Sequence, residues 1–222
     1  MTAGLKTAIA PDAREAARRA LTDLGRLCHA RGWSDATSSN YSVRLSHDPL
    51  RVLITASGRD KGRLEDEDFV VVTGQGLPAE ENGPRPSAEL PLHLVIYENL
   101  VNVGAVIHTH SVWATILSDF TYTQNNLIIE GYEMQKGLAG VTTHQAKVQV
   151  KVFDNTQKID ELARRLRLVF SEQQPAMRYG FLLRRHGLYT WGADIDEARR
   201  HLEALEFLFE ALGRRLMLGL TN

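Results

Sequence analysis

The chain contains one cysteine, Cys28, in 222 residues. A single thiol excludes an internal disulfide and a thiolate-rich structural metal site, and it fits a reducing compartment. No apolar run approaches the ~20 residues that a membrane helix needs, and the N-terminus shows no secretory core. Neither sign of charge dominates: 26 Lys and Arg stand against 27 Asp and Glu, for a net −1. Such a balance argues against nucleic acid or an anionic membrane as a partner. Repeats, low-complexity tracts and Walker or dinucleotide fingerprints are also missing. What is present is ordinary for a globular protein, with 43% hydrophobic and 24% charged residues. The length suffices to bury a core without staples. The expectation is a soluble, cytoplasmic protein with one domain over residues 1–222 and a core of about 12–216.

Hydrophobic spacing gives the elements. Pro11-Asp12 opens a helix with Ala16, Ala20, Leu24 and Leu27 on one face, and Gly32 stops it. Short β-like runs follow at Tyr41 to Leu45, Val52 to Thr55 and Phe69 to Thr73, and residues 74–86 read as an exposed loop. Ser87 is expected to cap a helix through Leu94 and Leu100, with Glu89 in its first turn. Gly104 to His108 reads as a buried strand and Val112 to Leu117 as a short helix. Leu127 to Glu130 and Val148 to Phe153 read as strands, and Ile159 to Phe170 as an amphipathic helix. Phe181 to Arg184 and Leu188 to Trp191 read as a strand pair or one bent strand around His186-Gly187, and Asp194 caps a last helix. Several neighbouring strands lack intervening helices. The predicted fold class is therefore α/β: three α/β/α layers around a mostly antiparallel or mixed central sheet, rather than a doubly wound one.

His108 and His110 stand two residues apart at a strand end, so both side chains can reach one point. His-x-His alone fits a polar strand end as well as a half-formed metal site. His186 ends another apolar strand, and three histidines with an open position describe a catalytic zinc. His29, His47, His93, His144 and His201 read as surface or helix residues, His93 and His144 lying nearest the other motifs.

Three loops are rich in hydroxyls, amides, glycine and cations: Ala36 to Ser42, Ile54 to Gly62 and Arg85 to Glu89. Turns of this kind cradle phosphate. Each alone is an ordinary turn, but three beside a histidine cluster favour a phosphorylated substrate. Two carboxylates, Glu89 and Glu133, can move a proton beside a ketone activated by a metal. A helix-start carboxylate and a solvated loop acid explain them equally well.

Taken in order, Ser39-Asn40-x-Ser42, Ile54-Thr55-Ala56-Ser57-Gly58, Pro86-Ser87-Ala88-Glu89, His108-Thr109-His110 and His186-Gly187-Leu188 resemble the class II aldolase/adducin family. The likeness runs from about Asp12 to Leu216. Longer stretches, Ser57 to Gly62, Gly131-Tyr132-Glu133-Met134 and His186 to Gly192, resemble its branch of sugar-phosphate dehydratases in methionine salvage. The resemblance implies an α/β/α fold and a homo-oligomer, commonly a tetramer, with sites near subunit contacts. It implies one Zn2+ per subunit on His108, His110 and His186, and a phosphorylated ketose held by Asn40, Ser57, Gly58 and Ser87, with Lys61 assisting. Glu133 would be the main acid/base and Glu89 the second. Rival activities within the family are an aldolase or a 4-epimerase, and a non-catalytic adducin-like module lies outside enzymology. Ser39 stands where many members carry glycine. Tyr132, Met134, Trp113 and Tyr189 are candidates for apolar contact to a methylthio group, with core packing the expected role of most of them.

Overall fold

In a computed structural model of the chain, residues 11–220 are described. Helix α1 (Pro11–Ala30) precedes strands β1 (Asn40–Ser46), β2 (Arg51–Thr55) and β3 (Phe69–Thr73). Helix α2 (Leu90–Asn99), strand β4 (Ala105–Thr109) and helix α3 (Val112–Phe120) form the middle of the chain. Strands β5 (Asn126–Ile129) and β6 (Val148–Phe153), helix α4 (Ile159–Ser171), strands β7 (Gly180–Leu183) and β8 (Gly187–Gly192), and helix α5 (Ile195–Met217) complete it. No helix among the described residues is long and apolar enough to cross a membrane.

Among the described residues, eight strands form one sheet in the order β3-β2-β1-β4-β8-β7-β6-β5. Every neighbouring pair is antiparallel except β6 and β7. Alternate residues feed two cores, as a sheet buried on both faces requires. Tyr41, Leu53, Val71, Ile107, Leu182 and Leu188 pack with Leu21 and Leu24 of α1 and Leu202, Leu205 and Phe209 of α5. Val52, Ile54, Val106, Phe181, Tyr189 and Trp191 pack with Leu92, Val95 and Ile96 of α2 and Leu162 and Leu166 of α4. The three-layer α/β/α arrangement with a mixed, mostly antiparallel sheet is thus the observed one.

Two helix boundaries matter for the site. Helix α1 ends in a Schellman motif: Gly32 lies at φ 68°, Trp33 N–H donates to Cys28 O and Gly32 N–H to His29 O. That turn delivers Trp33, whose carbonyl accepts from His110 N–H at 2.9 Å. Helix α2 corrects the expectation for Ser87. The helix begins at Leu90 with Glu89 in the N-cap position, and Ser87 Oγ instead accepts from Glu89 N–H at 3.2 Å. The backbone of 85–89 runs beside Ala56-Ser57, through an Ala56–Pro86 bridge and the Ser57 N–H to Arg85 O bond. This pairing fixes where Glu89 must point. Asp194 caps α5 as expected, accepting from Glu197 N–H at 2.8 Å.

Candidate active site

Strand register builds the centre. On β4, His108 pairs with Asn40 of β1 on one side and Tyr189 of β8 on the other. His110 follows two residues later, just beyond the strand, while Thr109 faces the opposite core and donates to Glu206 Oε1 of α5 at 3.1 Å. His186 leaves β7 in a tight turn pinned from α3: Thr115 Oγ1 donates to His186 O, and Arg185 N–H donates to Ser118 Oγ. Asp119 adds ion pairs to Arg184 and Arg185 at 2.7 and 2.9 Å. After His186 only glycine fits, because a Cβ on Gly187 would lie 1.9 Å from the Thr109 carbonyl oxygen.

The three Nε2 atoms converge, at 2.8 Å between His108 and His110, 3.0 Å between His110 and His186, and 3.3 Å between His108 and His186. Tetrahedral nitrogen ligands bound at about 2.0–2.1 Å would stand about 3.3 Å apart. Glu89 closes the group, with Oε2 3.3 Å from His108 Nε2 and Oε1 3.4 Å from His186 Nε2. One ligand atom from each of the four residues lies within 4.8 Å of the others. The outer nitrogens are engaged too: His108 Nδ1 donates to Leu188 O at 2.9 Å, which leaves Nε2 with its lone pair.

Electrostatics favours neutral rings. Burial first, then the neighbouring histidines, pushes the His108 pKa well below the usual range. His110 falls to about 4, by burial, His186 and then Lys61. Burial also lowers His186, with the Glu89 charge opposing. Neutral imidazole is the form that ligates metal. The residues present fit a divalent metal of the zinc type: three converging nitrogens, one carboxylate and oriented rings.

Glu89 is itself held by a buried chain. Asn40 Nδ2 donates to Glu89 Oε2 at 2.7 Å, and Asn40 Oδ1 lies 2.5 Å from His93 Nε2. An amide oxygen only accepts, so His93 carries its proton on Nε2. Its Nδ1 then accepts from Ser42 at 2.7 Å, and Tyr97 continues the chain at 2.9 Å. His93 is fully buried, and that burial holds its pKa near 3. His93 is a helix residue, one of the two placements read from the sequence, but it faces the core and is wired to Glu89 through Asn40. Tyr189 stacks on His108 at 4.0 Å between centroids, and its hydroxyl is buried.

A cavity of about 340 Å³ opens on this cluster. Its walls include His110, His186 and Glu89, and the hydroxyl-bearing turns supply Ser38, Ser39, Asn40, Ser57, Gly58 and Ser87. Gly58 takes φ 72°, and Ser39 adopts the glycine-like φ 71° without being glycine, its hydroxyl bonded to Trp33 O at 3.2 Å. Lys61 is buried and does not line the cavity; its ammonium is held by the carbonyls of Arg59 and Thr37 at 2.6 and 3.4 Å. Desolvation lowers its pKa to about 8 against the pull of Asp60 and Asp68.

Glu133 lies elsewhere in the chain's own fold. It starts a short 3-10 turn (Glu133–Gly137), is exposed, and pairs with Lys136 at 2.5 Å and His144 at 3.1 Å. Lys136 first, and then His144, hold its carboxyl below the usual range. Met134 lines a separate cavity with Trp33 and Phe207, and Trp113 and Tyr132 pack against the α1/α5 core. Ser38, read from the sequence as part of the Ala36 to Ser42 loop, does line the cavity, whereas sequence reading missed the Asn155-Thr156-Gln157 turn, of which Thr156 and Gln157 form another wall. For His93 a signal existed, since Glu89 and His93 are four residues apart on one helical face.

Residues 19–212 match the family model described as Class II Aldolase and Adducin N-terminal domain. A methylthioribulose-1-phosphate dehydratase of Pectobacterium atrosepticum is 50% identical over 203 residues, covering 89% of this chain and 95% of the relative. One from Pseudomonas aeruginosa is 48% identical over 199 residues, covering 90% and 94%. The crystal structure of L-fuculose-1-phosphate aldolase from Thermus thermophilus superposes with a TM-score of 0.69 at 26% identity, covering 93% of this chain and 98% of that one. With its fold, its histidine–glutamate cluster and these likenesses, the chain belongs to the class II aldolase and adducin family.

Proposed function

We infer that the protein is a hydro-lyase: a methylthioribulose-1-phosphate dehydratase of methionine salvage, converting 5-methylthioribulose 1-phosphate to 2,3-diketo-5-methylthiopentyl 1-phosphate. The substrate follows from the relatives' activity. The observation that carries the chemistry is the convergence of His108, His110, His186 and Glu89 at the mouth of a hydroxyl-lined cavity. His108, His110 and His186 would hold one Zn2+ per subunit, with Glu89 beside them. When bound, the ion supplies Lewis acidity at the C2 ketone, which acidifies C3.

The remaining steps belong to the chain. Asn40, Ser57, Gly58 and Ser87 bind the phosphate, and Lys61 adds positive charge behind their loop. Fixing the phosphate orients C2 to C4 for reaction. Glu133 removes the C3 proton, acting as a carboxylate, the form in which a glutamate is a base at neutral pH. The C4–O bond breaks, water leaves with a returned proton, and the C3 enol tautomerises to the diketone. Glu89 is the alternative proton carrier, since it already stands among the histidines.

Because Glu133 does not line the cavity in the single chain, it enters the site at a subunit contact of a homo-oligomer, with a tetramer favoured. An exposed apolar stripe on α3, Val112, Ile116 and Phe120, begins two residues after His110 and suits such a contact. The chain works as one domain in the cytoplasm.

The test is product analysis with 5-methylthioribulose 1-phosphate in deuterated water. The wild type releases water, giving the diketone, whereas cleavage to two fragments identifies an aldolase and a C4 epimer identifies an epimerase. Glu133→Gln retains zinc but loses exchange of the C3 proton. Full exchange in that variant moves the base assignment to Glu89.

A further inference from the structure

Asp154 to Lys158, the segment between β6 and α4, walls the cavity with Thr156 and Gln157 but takes no part in the proposed mechanism. Its position follows from topology. β6 and β7 are the one parallel pair among the described strands, so both strands leave the sheet at the same end. Open sheets with parallel strands place ligands outside such carboxyl ends. The two turns therefore lie side by side, tied by the Arg184 N–H to Phe153 O bond at 2.8 Å. One turn carries His186 and the other carries Asn155.

Asn155 Oδ1 lies 3.1 Å from His186 Nδ1. With the amide oxygen facing the ring, Nδ1 is the protonated nitrogen and donates, and Nε2 keeps its lone pair toward His110 and Glu89. His108 obtains the same orientation from a backbone carbonyl, Leu188 O. His186 depends on a side chain for it. Asn155 is exposed and belongs to neither hydrophobic core, so core packing does not account for it. The next two residues, Thr156 and Gln157, form part of the cavity wall.

We propose that Asn155 is a positioning residue for the metal centre, fixing the tautomer and ring orientation of His186. It rests on the metal-binding part of the proposed function and not on the identity of the substrate. Outer partners of ligating histidines commonly change metal affinity by about 10- to 100-fold when removed.

The test is a chelator competition on the full-length protein, stripped and then titrated with Zn2+ in the absence of substrate. Co2+ serves as a second probe, whose visible absorption reports ligand geometry. Asn155→Ala should raise the Zn2+ Kd by about 10-fold or more and alter the Co2+ spectrum, with an unchanged melting temperature. Asn155→Asp, which retains an acceptor at the same place, should bind Zn2+ at least as tightly as the wild type. In a His186→Ala background, Asn155→Ala should add nothing, because the ring it orients is gone. Unchanged affinity and spectrum in Asn155→Ala, or an equal loss in the His186→Ala background, overturns the proposal. A wild type that binds no Zn2+ and is indifferent to His186→Ala overturns the metal centre and this inference with it. A protein that binds Zn2+ as described but dehydrates nothing refutes only the proposed activity.

Discussion

Gly187 shows how one position controls the metal ligands. Its missing side chain lets β8 begin directly against the Thr109 carbonyl, and so brings His186 to His108 and His110. A methyl group there meets backbone, which does not yield as a flexible side chain would. Gly187→Ala should therefore lose about 1–3 kcal/mol of stability, the usual range for overpacking, together with bound zinc. Denaturant melts and metal analysis on the same sample check this, and an alanine variant normal in both contradicts it. The two glutamates separate in the same way. Glu89 sits within 3.4 Å of two ring nitrogens, whereas Glu133 pairs with Lys136 and His144. Glu89→Gln should weaken zinc binding in a chelator titration and Glu133→Gln should leave it unchanged. The reverse order would exchange their places in the account.

At the level of elements, His93 of α2 and Glu206 of α5 are both buried titratable groups, and the two act on stability in opposite directions. His93 is held near pKa 3 against a reference of 6.5. Below pH 6.5 the unfolded chain gains a proton that the folded chain refuses. Each pH unit below 6.5 then costs roughly 1.4 kcal/mol until the folded value is reached. Glu206 is raised from 4.5 to about 7, by burial acting against the Ser111 and Thr109 hydroxyls. Its contribution is complete below pH 4.5 and is lost as pH rises toward 7. Compared with the wild type in urea melts, Glu206→Gln should gain stability steadily between pH 4.5 and 7. Relative to the wild type, His93→Gln should gain as the pH is lowered from 6.5 toward 4. A pH-independent difference for either variant would mean that its group titrates alike in both states.

These buried groups also mark where sequence reading stops. The strands, the helices and the three histidines were legible, because period-2 and helical spacing and strand-end histidines are local signals. The Asn40–His108–Tyr189 alignment was not, since it depends on register between strands far apart in sequence. Nor was the Glu89–Asn40–His93 chain, which needs β1 packed beneath α2. Ser87 was misjudged as a cap because its pairing beside Ala56-Ser57 outweighs its capping tendency.

On the scale of the whole molecule, the account turns on assembly and on metal. Val112, Ile116 and Phe120 are 61%, 51% and 64% exposed on one face of α3, beside the histidine cluster. Covering them in a homo-oligomer would remove an apolar surface from water. Sedimentation should show a tetramer, and Ile116→Asp with Phe120→Asp should give smaller, inactive species that still bind zinc. Co-refolding inactive His110→Ala and Glu133→Gln chains should restore part of the activity, since a mixed contact contains one intact site. Absence of recovery would place both residues in the service of the same subunit. The most direct measurement strips the metal from the purified protein and follows loss of water from 5-methylthioribulose 1-phosphate as Zn2+ is returned. The account predicts no turnover without metal and full turnover at one zinc per chain, and a verifiably metal-free protein that still dehydrates the substrate would contradict it.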